Sequence, residues 1–262
     1  MKRHFQVLIV LFFLKTSAMP AQDAMTKLQN GADLNVVYRN EADLNLYTHS
    51  QGFGIGFRRA FHVTASRKKV FEIEGCNMSS PKQTRINNPR SQDAKAYSYG
   101  LLNNFFVLRG GFGFQRVLFR KADRKSVEIR LGSYYGVLLG ILKPVYLDVF
   151  VNSGASPGNI FGSNLGYTAV KANPNDPNQY QDNIYGAAPF LTGIDQLSIV
   201  PGAYVKMGLS FEFGESRTEV KAIETGVTVD AFPVVIQQMA GTQNYQVFPT
   251  VYLAVIFGKK WF

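Results

Sequence analysis

Residues 199–213 read IVPGAYVKMGLSFEF and carry the longest alternating pattern of apolar and polar residues in the chain. Its odd-numbered positions are all apolar, whereas its even-numbered positions include Lys206, Ser210 and Glu212. A period of two places the apolar side chains on one face of a β-strand, while a helix would scatter them around its axis. Strands of soluble proteins average about five or six residues, but a tilted membrane strand needs about 9–11. The segment therefore predicts a membrane-spanning β-strand.

The same alternation recurs along the chain and predicts eight strands. They are expected at 42–60, 67–79, 103–118, 126–139, 142–152, 195–213, 217–231 and 246–262. An even number of antiparallel strands can close into a barrel. The predicted fold class is therefore all-β, a single antiparallel transmembrane β-barrel. A ten-strand barrel, in which 33–39 and 42–50 are separate strands, stays open because strand boundaries are hard to read from a sequence.

The lengths of the connecting segments predict an orientation in the membrane. Outer-membrane barrels have short periplasmic turns and longer extracellular loops. If the last strand ends in the periplasm, the links near residues 140 and 215 fall there too, and the long segments 152–194 and 232–245 fall outside. The segment 80–98 then becomes a 19-residue periplasmic connection, which fits this rule poorly.

The first 21 residues have the features of a secretory signal. Lys2 and Arg3 precede an apolar run at 5–14, and small residues follow that run. This is the order of the n-region, h-region and cleavage site of a signal peptide, and the run is half of the roughly 20 residues that a transmembrane helix needs. We expect a signal peptide at 1–21, an N-terminal periplasmic segment at 22–41 and an outer-membrane β-barrel at 42–262.

Composition and charge limit the class of function. The net charge is +10, or +7 once the three basic residues of the signal have left with it. A nucleic-acid-binding protein gathers its basic residues on one face, whereas here clusters such as 67–69 and 259–260 lie at strand ends. We expect them to meet phosphate groups of outer-membrane lipids and lipopolysaccharide, with no nucleic acid as partner. The single Cys76 allows no internal disulfide and no zinc spacing, so neither a metal nor a cofactor is expected.

The polar face of the predicted strands combines glycines with charges of both signs. On a soluble β-sandwich or lipocalin-like barrel these charges would simply be solvated. An eight-stranded membrane barrel is just wide enough for side chains to fill its interior, and charges buried there persist only when paired. The glycines would make room for the long side chains. The predicted ion-pair plug of the lumen consists of Arg58, Glu72, Glu74, Arg109, Glu128, Arg130, Asp148, Lys206, Glu212, Glu224 and Asp230.

Three local segments carry a resemblance to a known family. They are GIGFRR at 54–59, GILKPVY at 140–146 and FGKKWF at 257–262. Together with the alternation, they make the chain similar to the small outer-membrane β-barrels of the OmpX, OmpW and PorT-like kind. The resemblance implies a location in the outer membrane of a Gram-negative cell. It covers adhesion, passage of small molecules, lipid-modifying enzymes and accessory subunits, so the fold does not choose among these functions.

The C-terminal residues resemble a signal used by that family. Trp261 and Phe262 look like the terminal aromatic residues that the barrel-insertion machinery reads. Lys260 and Gly258 depart from the pattern, because the family usually has apolar side chains at these positions. Aromatic residues near other strand ends, including Tyr134, suit the girdles that anchor barrels at the membrane interfaces.

A long loop supplies the candidate partner-binding surface. Residues 152–194 are rich in Gly, Ser, Asn and Pro. Loops longer than about 12–15 residues are often functional, and Tyr is typical of protein recognition. The predicted contact residues are Phe161, Tyr167, Tyr180 and Tyr185. The alternative is a solvated loop that only shields the mouth of the barrel.

Catalysis has little support in the sequence. His49 and Ser50 are adjacent, so on a strand their side chains point to opposite faces. His62 and Thr64 share a face, but no third group or oxyanion donor can be named for them. We therefore expect no catalytic residues.

The expected function is that of a non-enzymatic barrel with a filled lumen, a structural or accessory subunit of an outer-membrane secretion or assembly complex with protein partners in the envelope. A porin-like channel for small solutes and a lipid-modifying barrel enzyme are the alternatives.

Overall fold

The computed structural model of the chain describes residues 39–88, 95–121, 126–150, 167–173, 175–176, 179, 183–213 and 218–262. The strands are β1 (Asn40–His49), β2 (Gly52–Thr64), β3 (Arg67–Met78), β4 (Arg85–Ile86), β5 (Tyr97–Ser98), β6 (Asn103–Phe119), β7 (Glu128–Pro144), β8 (Tyr146–Phe150), β9 (Tyr167–Lys171), β10 (Ile184–Ala187), β11 (Ser198–Glu212), β12 (Glu219–Ile236) and β13 (Tyr245–Trp261). A short 3-10 helix, Ile194–Gln196, precedes β11. No helix in these ranges is long and apolar enough to cross a membrane.

Eight strands close into an antiparallel barrel. Their order around the barrel is β1, β13, β12, β11, β7, β6, β3 and β2. The ring closes at β1, where Asn40 lies opposite Trp261 of β13 on one side and Phe61 of β2 on the other. A closed ring leaves no free sheet edge, as a membrane requires, because lipid cannot satisfy unpaired backbone groups. The predicted eight-stranded barrel is confirmed. Of the ten-strand alternative, the strand at 42–50 corresponds to β1, whereas 33–38 lies outside the described residues.

Two of the predicted strand assignments are wrong. One predicted strand is two strands of the wall and two predicted strands are only one, so the total of eight is unchanged. The predicted strand 42–60 is a hairpin, because the chain turns at Ser50 and Gln51 between β1 and β2. The predicted strands 126–139 and 142–152 do not follow one another in the wall, because β7 runs through Gly140 and β8 lies outside the barrel. Gly140 is needed for packing, since a Cβ there would lie 2.7 Å from the ring of Phe232.

The two ends of the barrel differ in their connections. Beside the C terminus the strands are joined by 65–66, 120–127 and 213–218, whereas the opposite end carries the long segments 79–102 and 145–197. Because outer-membrane barrels have short periplasmic turns, we call the end with the C terminus the periplasmic end and the opposite end the extracellular end.

This assignment corrects two predicted placements. Residue 140 is not a periplasmic link, since it lies within β7. The described parts of the segment 80–98, at 80–88 and 95–98, lie at the extracellular end, so a long periplasmic connection is not needed. β1 begins at Asn40, two residues before the predicted start of the barrel, while the predicted signal peptide at 1–21 and residues 22–38 of the predicted N-terminal segment lie outside the described residues.

The outer face of the wall is apolar. Outward-facing side chains alternate with buried ones on each strand, and many are large and exposed: Leu44, Ile55, Phe57, Ile73, Leu108, Phe112, Val137, Leu139, Val205, Leu209, Val227, Val251, Leu253 and Phe257. A contiguous apolar band around a closed barrel fits hydrocarbon and not water. The chain is a transmembrane β-barrel of the outer-membrane type.

The extracellular connections fold into a layer that we call the cap. β8 pairs with β9 and β10, and β4 pairs with β5. The connections 79–102, 145–197 and 237–244 share a second hydrophobic core. It is made of Tyr97, Leu101, Val145, Leu147, Val149, Ile184 and Met239. The Leu102 amide donates a hydrogen bond of 2.9 Å to the Gln238 carbonyl, which joins two of the connections. The cap is therefore a packed structure and not a set of separate loops.

Candidate functional site

The middle of the lumen holds a network of buried charges. Arg58 on β2 donates two hydrogen bonds of 2.8 Å to Glu224 on β12, and its Nε donates one of 3.1 Å to Glu72 on β3. Lys206 on β11 forms an ion pair with Glu74 on β3. Arg58 is only 1% exposed. Strands on opposite sides of the barrel are thus joined through its interior.

A second guanidinium extends this network toward the extracellular end. Arg109 on β6 donates hydrogen bonds of 2.9 and 2.6 Å to the two carboxylate oxygens of Asp230 on β12. It also contacts Glu74 at 3.6 Å and donates to the Tyr47 hydroxyl at 3.2 Å. The bidentate geometry is the strongest that Arg makes with a carboxylate. The middle network therefore contains three cations and four carboxylates.

Tyrosines complete the network. The hydroxyls of Tyr204 and Tyr252 each donate a hydrogen bond of 2.8 Å, to Glu72 and Glu224 respectively. The Arg58 guanidinium lies over the ring of Tyr134, 4.7 Å from its centroid. These donors help to satisfy the one carboxylate in excess of the cations. Tyr134 was predicted to belong to an interfacial girdle, which is wrong because its side chain is fully buried in the lumen.

A separate cluster fills the periplasmic end of the lumen. Arg130 donates a hydrogen bond of 2.6 Å to Glu128, contacts Glu41 at 3.3 Å and pairs with Glu212. Lys260 lies 2.8 Å from Glu212, and Lys68 pairs with Glu41. Glu41, Lys68 and Lys260 were not predicted as lumen charges. Glu41 was placed in the N-terminal segment, Lys68 in a basic cluster at a strand end and Lys260 in the C-terminal signal. Each of the three alternates with outward-facing apolar or cationic residues on its strand, and this alternation could have identified it as a lumen residue.

An apolar layer closes the lumen toward the extracellular end. The rings of Phe105, Phe232 and Phe248 pack against one another with centroids 5.5–5.9 Å apart. Leu138 and Ile236 belong to the same buried cluster. This layer and the two charged clusters fill the lumen with side chains from all eight strands.

Ten of the eleven residues predicted for the plug line the lumen, and Asp148 does not. Asp148 lies on β8 in the cap, because the chain leaves the barrel wall after Pro144. It is 3% exposed. Burial raises the pKa of its carboxyl group above the ordinary value of 3.8, and the charge of nearby Lys95 opposes part of that rise. Alternation alone could not separate a strand of the wall from a strand that continues into the cap.

The predicted loop residues lie partly in the cap sheet. Tyr167 on β9 and Tyr185 on β10 stack with centroids 5.0 Å apart and an interplanar angle of 10°. Phe150 on β8, opposite Tyr167 in register, meets the Tyr185 ring edge-on at 5.7 Å. We call these three rings the aromatic platform. Phe161 and Tyr180 lie outside the described residues.

The structure explains why two residues of the C-terminal strand, Lys260 and Gly258, differ from the apolar residues of the family pattern. Lys260 and Gly258 face the lumen, where Lys260 pairs with Glu212 and a Cβ at Gly258 would collide with the Asp43 carboxylate. Trp261 faces outward, and the Arg59 guanidinium lies over its ring at 4.8 Å. Phe262 is 74% exposed. The charge and the glycine are therefore requirements of lumen packing.

The histidines occupy no recognisable catalytic arrangement among the described residues. His49 faces the lumen, and its Nδ1 accepts a hydrogen bond of 3.3 Å from the Gln51 amide. His62 lies near the periplasmic end of β2. In the same part of the chain, no group of three or more His, Cys, Asp or Glu side chains could hold a metal ion.

Comparisons with known proteins give similarity of fold. The sequence matches no family model and no curated protein. Among solved structures, Neisserial surface protein A (NspA) is 10% identical, with a TM-score of 0.39 and coverage of 86% of this chain and 97% of that chain. Ail of Yersinia pestis, in complex with the heparin analogue sucrose octasulfate, is 7% identical, with a TM-score of 0.38 and coverage of 85% and 97%. The N-terminal β-barrel domain of Pseudomonas aeruginosa OprF is 7% identical, with a TM-score of 0.33 and coverage of 84% and 97%.

Proposed function

We propose that the chain is a non-enzymatic, non-conducting outer-membrane barrel that serves as a structural or accessory subunit of an envelope complex. The observation that carries this proposal is the filled lumen. Two charged clusters and a layer of phenylalanine rings occupy it in succession from the periplasmic end to the extracellular end. A channel needs a continuous water-filled path through the lumen. Here side chains from the wall occupy the lumen and contact one another across it.

The energetics of the ion pairs oppose a porin-like function. A solute crossing the middle of the lumen would have to separate Arg58 from Glu224 or Arg109 from Asp230, and each of these pairs is almost fully buried. Removing one partner from a buried pair costs about 3–5 kcal/mol because the other charge is left without compensation. The phenylalanine layer would have to move as well.

Conductance of the full chain in a planar lipid bilayer tests the closed lumen. Insertion is verified in parallel by flotation of the protein with vesicles and by the heat-dependent shift of folded barrels in gels. We expect no steady current from protein that passes both checks. Steady ohmic currents would overturn the proposal and support the porin-like alternative.

The accessory role assigns partner contact to the cap. The aromatic platform lies on β8, β9 and β10, and Tyr167 within it is 52% exposed. Large aromatic rings held by packing give contact area at low entropic cost, which is why Tyr is frequent in interfaces. The other face of this sheet, with Leu147 and Val149, packs into the core of the cap. The platform is therefore presented on a supported surface.

Affinity purification from native outer membranes tests this role. We expect a defined protein partner to accompany the full chain and to be lost with Tyr167→Ala. The matched control is Tyr245→Ala, which removes an equally exposed tyrosine from the end of β13. Purification of the folded barrel with no partner, or equal retention of partners by both variants, would overturn the accessory role of the platform.

A further inference from the structure

A group of cations lies on the outer face of the barrel at its periplasmic end. It consists of Arg59 on β2, Arg67 and Lys69 on β3, Arg116 on β6 and Lys259 on β13. Arg59 is half-buried and the other four are exposed. Each is next in sequence to a side chain of the opposite, inward phase, so all five point away from the lumen. We call this group the cationic patch.

The strand register brings these like charges together. Arg67 lies directly opposite Arg116. Arg59 and Lys259 flank Ala42 of β1 from its two sides, which places them about 10 Å apart across three strands. Like charges that face each other across a strand pair are destabilising. The arrangement thus calls for an anion that is shared between the strands.

One acidic side chain borders the patch among the described outward positions. Glu219 on β12 lies opposite Lys259 in register and also pairs with Lys221 of its own strand at 3.2 Å. In the described portions of β13, β1, β2, β3 and β6, none of the outward-facing positions is Asp or Glu, so Arg59, Arg67, Lys69 and Arg116 have no acid beside them there. The described outward positions in the periplasmic halves of β7 and β11 carry no Lys or Arg. The patch therefore occupies one side of the barrel.

Aromatic rings hold the Arg59 side chain at the edge of the lipid-facing apolar band. The Arg59 guanidinium lies 4.8 Å from the Trp261 ring and 5.5 Å from the Phe61 ring. Arg59 lies opposite Phe71, which belongs to the exposed apolar band. The cations thus continue the lipid-facing surface of the same strands toward the periplasm. Positively charged side chains at such a boundary reach the lipid headgroups.

We propose that the cationic patch binds the phosphate groups of anionic phospholipids in the periplasmic leaflet of the outer membrane. A lipid with two phosphates can engage more of these cations than a lipid with one, because Arg67 and Arg116 face each other and Lys69 and Arg59 lie on a diagonal across the adjoining strands. The lipid chains lie against the apolar band above. This inference is independent of the accessory role, since it rests only on the outer wall.

Native mass spectrometry of the full chain in detergent tests the proposal, with cardiolipin and phosphatidylcholine as probes. We expect the wild-type protein to bind cardiolipin in preference to phosphatidylcholine. Each cation removed near an anionic lipid surface is expected to weaken binding about fivefold, so Arg67→Gln with Arg116→Gln should weaken cardiolipin binding about 25-fold. The control is Lys82→Gln, which removes an exposed cation at the opposite end of the barrel and should change binding less than twofold.

The heat-dependent gel shift confirms that each variant is folded, as expected for substitutions of outward-facing side chains. Equal binding of cardiolipin by the wild type and the double variant would overturn the proposal, as would equal losses in the double variant and Lys82→Gln. Weak cardiolipin binding by the wild type, together with an acidic periplasmic protein that the double variant fails to retain, would show that the patch is a protein-binding surface instead.

Discussion

Arg58 and Glu224 face each other across the lumen and are joined by two hydrogen bonds of 2.8 Å. Their strands, β2 and β12, are not neighbours, because β1 and β13 lie between them in the ring. The pair is therefore a brace across the barrel and not a contact within the sheet. Backbone pairing alone closes the ring, and side chains such as these determine how rigidly it is held.

Replacing one partner of this brace is expected to destabilise the barrel. Glu224→Gln removes the bidentate partner of Arg58, which then has only Glu72 and Glu74 and shares both with Lys206, so we expect the free energy of unfolding to fall by about 3 kcal/mol. Urea-induced unfolding from lipid vesicles measures this change. The control is Glu219→Gln on the same strand, whose ion pair is half exposed and should contribute less than about 1 kcal/mol. Similar losses in both variants would contradict the brace.

The periplasmic cluster is expected to show coupling between its members. Arg130→Gln and Glu212→Gln each remove one side of the Arg130–Glu212 ion pair and upset the charge balance of the cluster, so both single variants should be destabilised. The double variant removes both charges and should recover part of the loss, giving a coupling energy of about 0.5–3 kcal/mol. Unfolding of all four proteins in one buffer gives the double-mutant cycle. Losses that simply add would show that the two side chains act independently.

Alternation in the sequence was sufficient to predict the strands and the phase of most lumen residues. It could not locate the turn at Ser50 and Gln51, because the period of two continues on both sides of a two-residue turn without a glycine or proline. It also could not distinguish a glycine at the end of a strand from a glycine within a strand that leaves space for a neighbouring side chain. Gly140 is of the second kind, since its neighbour in space is the Phe232 ring.

The partners within the lumen were beyond prediction for a different reason. Arg58 and Glu224 are 166 residues apart in sequence, and which side chains meet across a barrel depends on the stagger between all the strands around it. The sequence therefore predicted most of the charged residues of the lumen but not the ion pairs that they form. The cap sheet was likewise unexpected, because the sequence that separates the short strands β8, β9 and β10 is rich in Gly, Ser, Asn and Pro and shows no alternation.

Neighbouring glycines on β6 provide a test of how tightly the lumen is packed. A Cβ at Gly113, which faces inward, would lie 2.6 Å from the Ser133 carbonyl and would also meet the Tyr134 ring, whereas a Cβ at Gly110 has nothing within 4 Å. We expect Gly113→Ala to destabilise the barrel by about 1–3 kcal/mol through overpacking. Gly110→Ala should change its stability by less than about 0.5 kcal/mol. Urea unfolding measures both, and a reversed order would contradict the assigned orientation of β6.

The buried carboxyl group of Asp148 makes the stability of the cap depend on pH. Burial raises its pKa in the folded cap above the ordinary value of 3.8, so the folded cap binds the proton more tightly than the unfolded segment does. The contribution of this group is therefore most favourable below pH 3.8 and is lost as the pH rises through the raised pKa of the folded state. Asp148→Asn should remove that loss and make the cap more stable than wild type at pH 7.

Hydrogen exchange measures this effect separately in the cap and in the wall. Protection factors of amides in β8 and β9, corrected for the intrinsic effect of pH, should be higher in Asp148→Asn than in the wild type at pH 7, and the two should converge toward pH 3.8. Amides of β12 should not differ, because the cap has its own hydrophobic core. The control is Asp195→Asn, an exposed acid in the same connection. Lower protection of the Asp148→Asn cap at pH 7 would mean that the carboxylate is stabilised in place, with Lys95 as a full ionic partner.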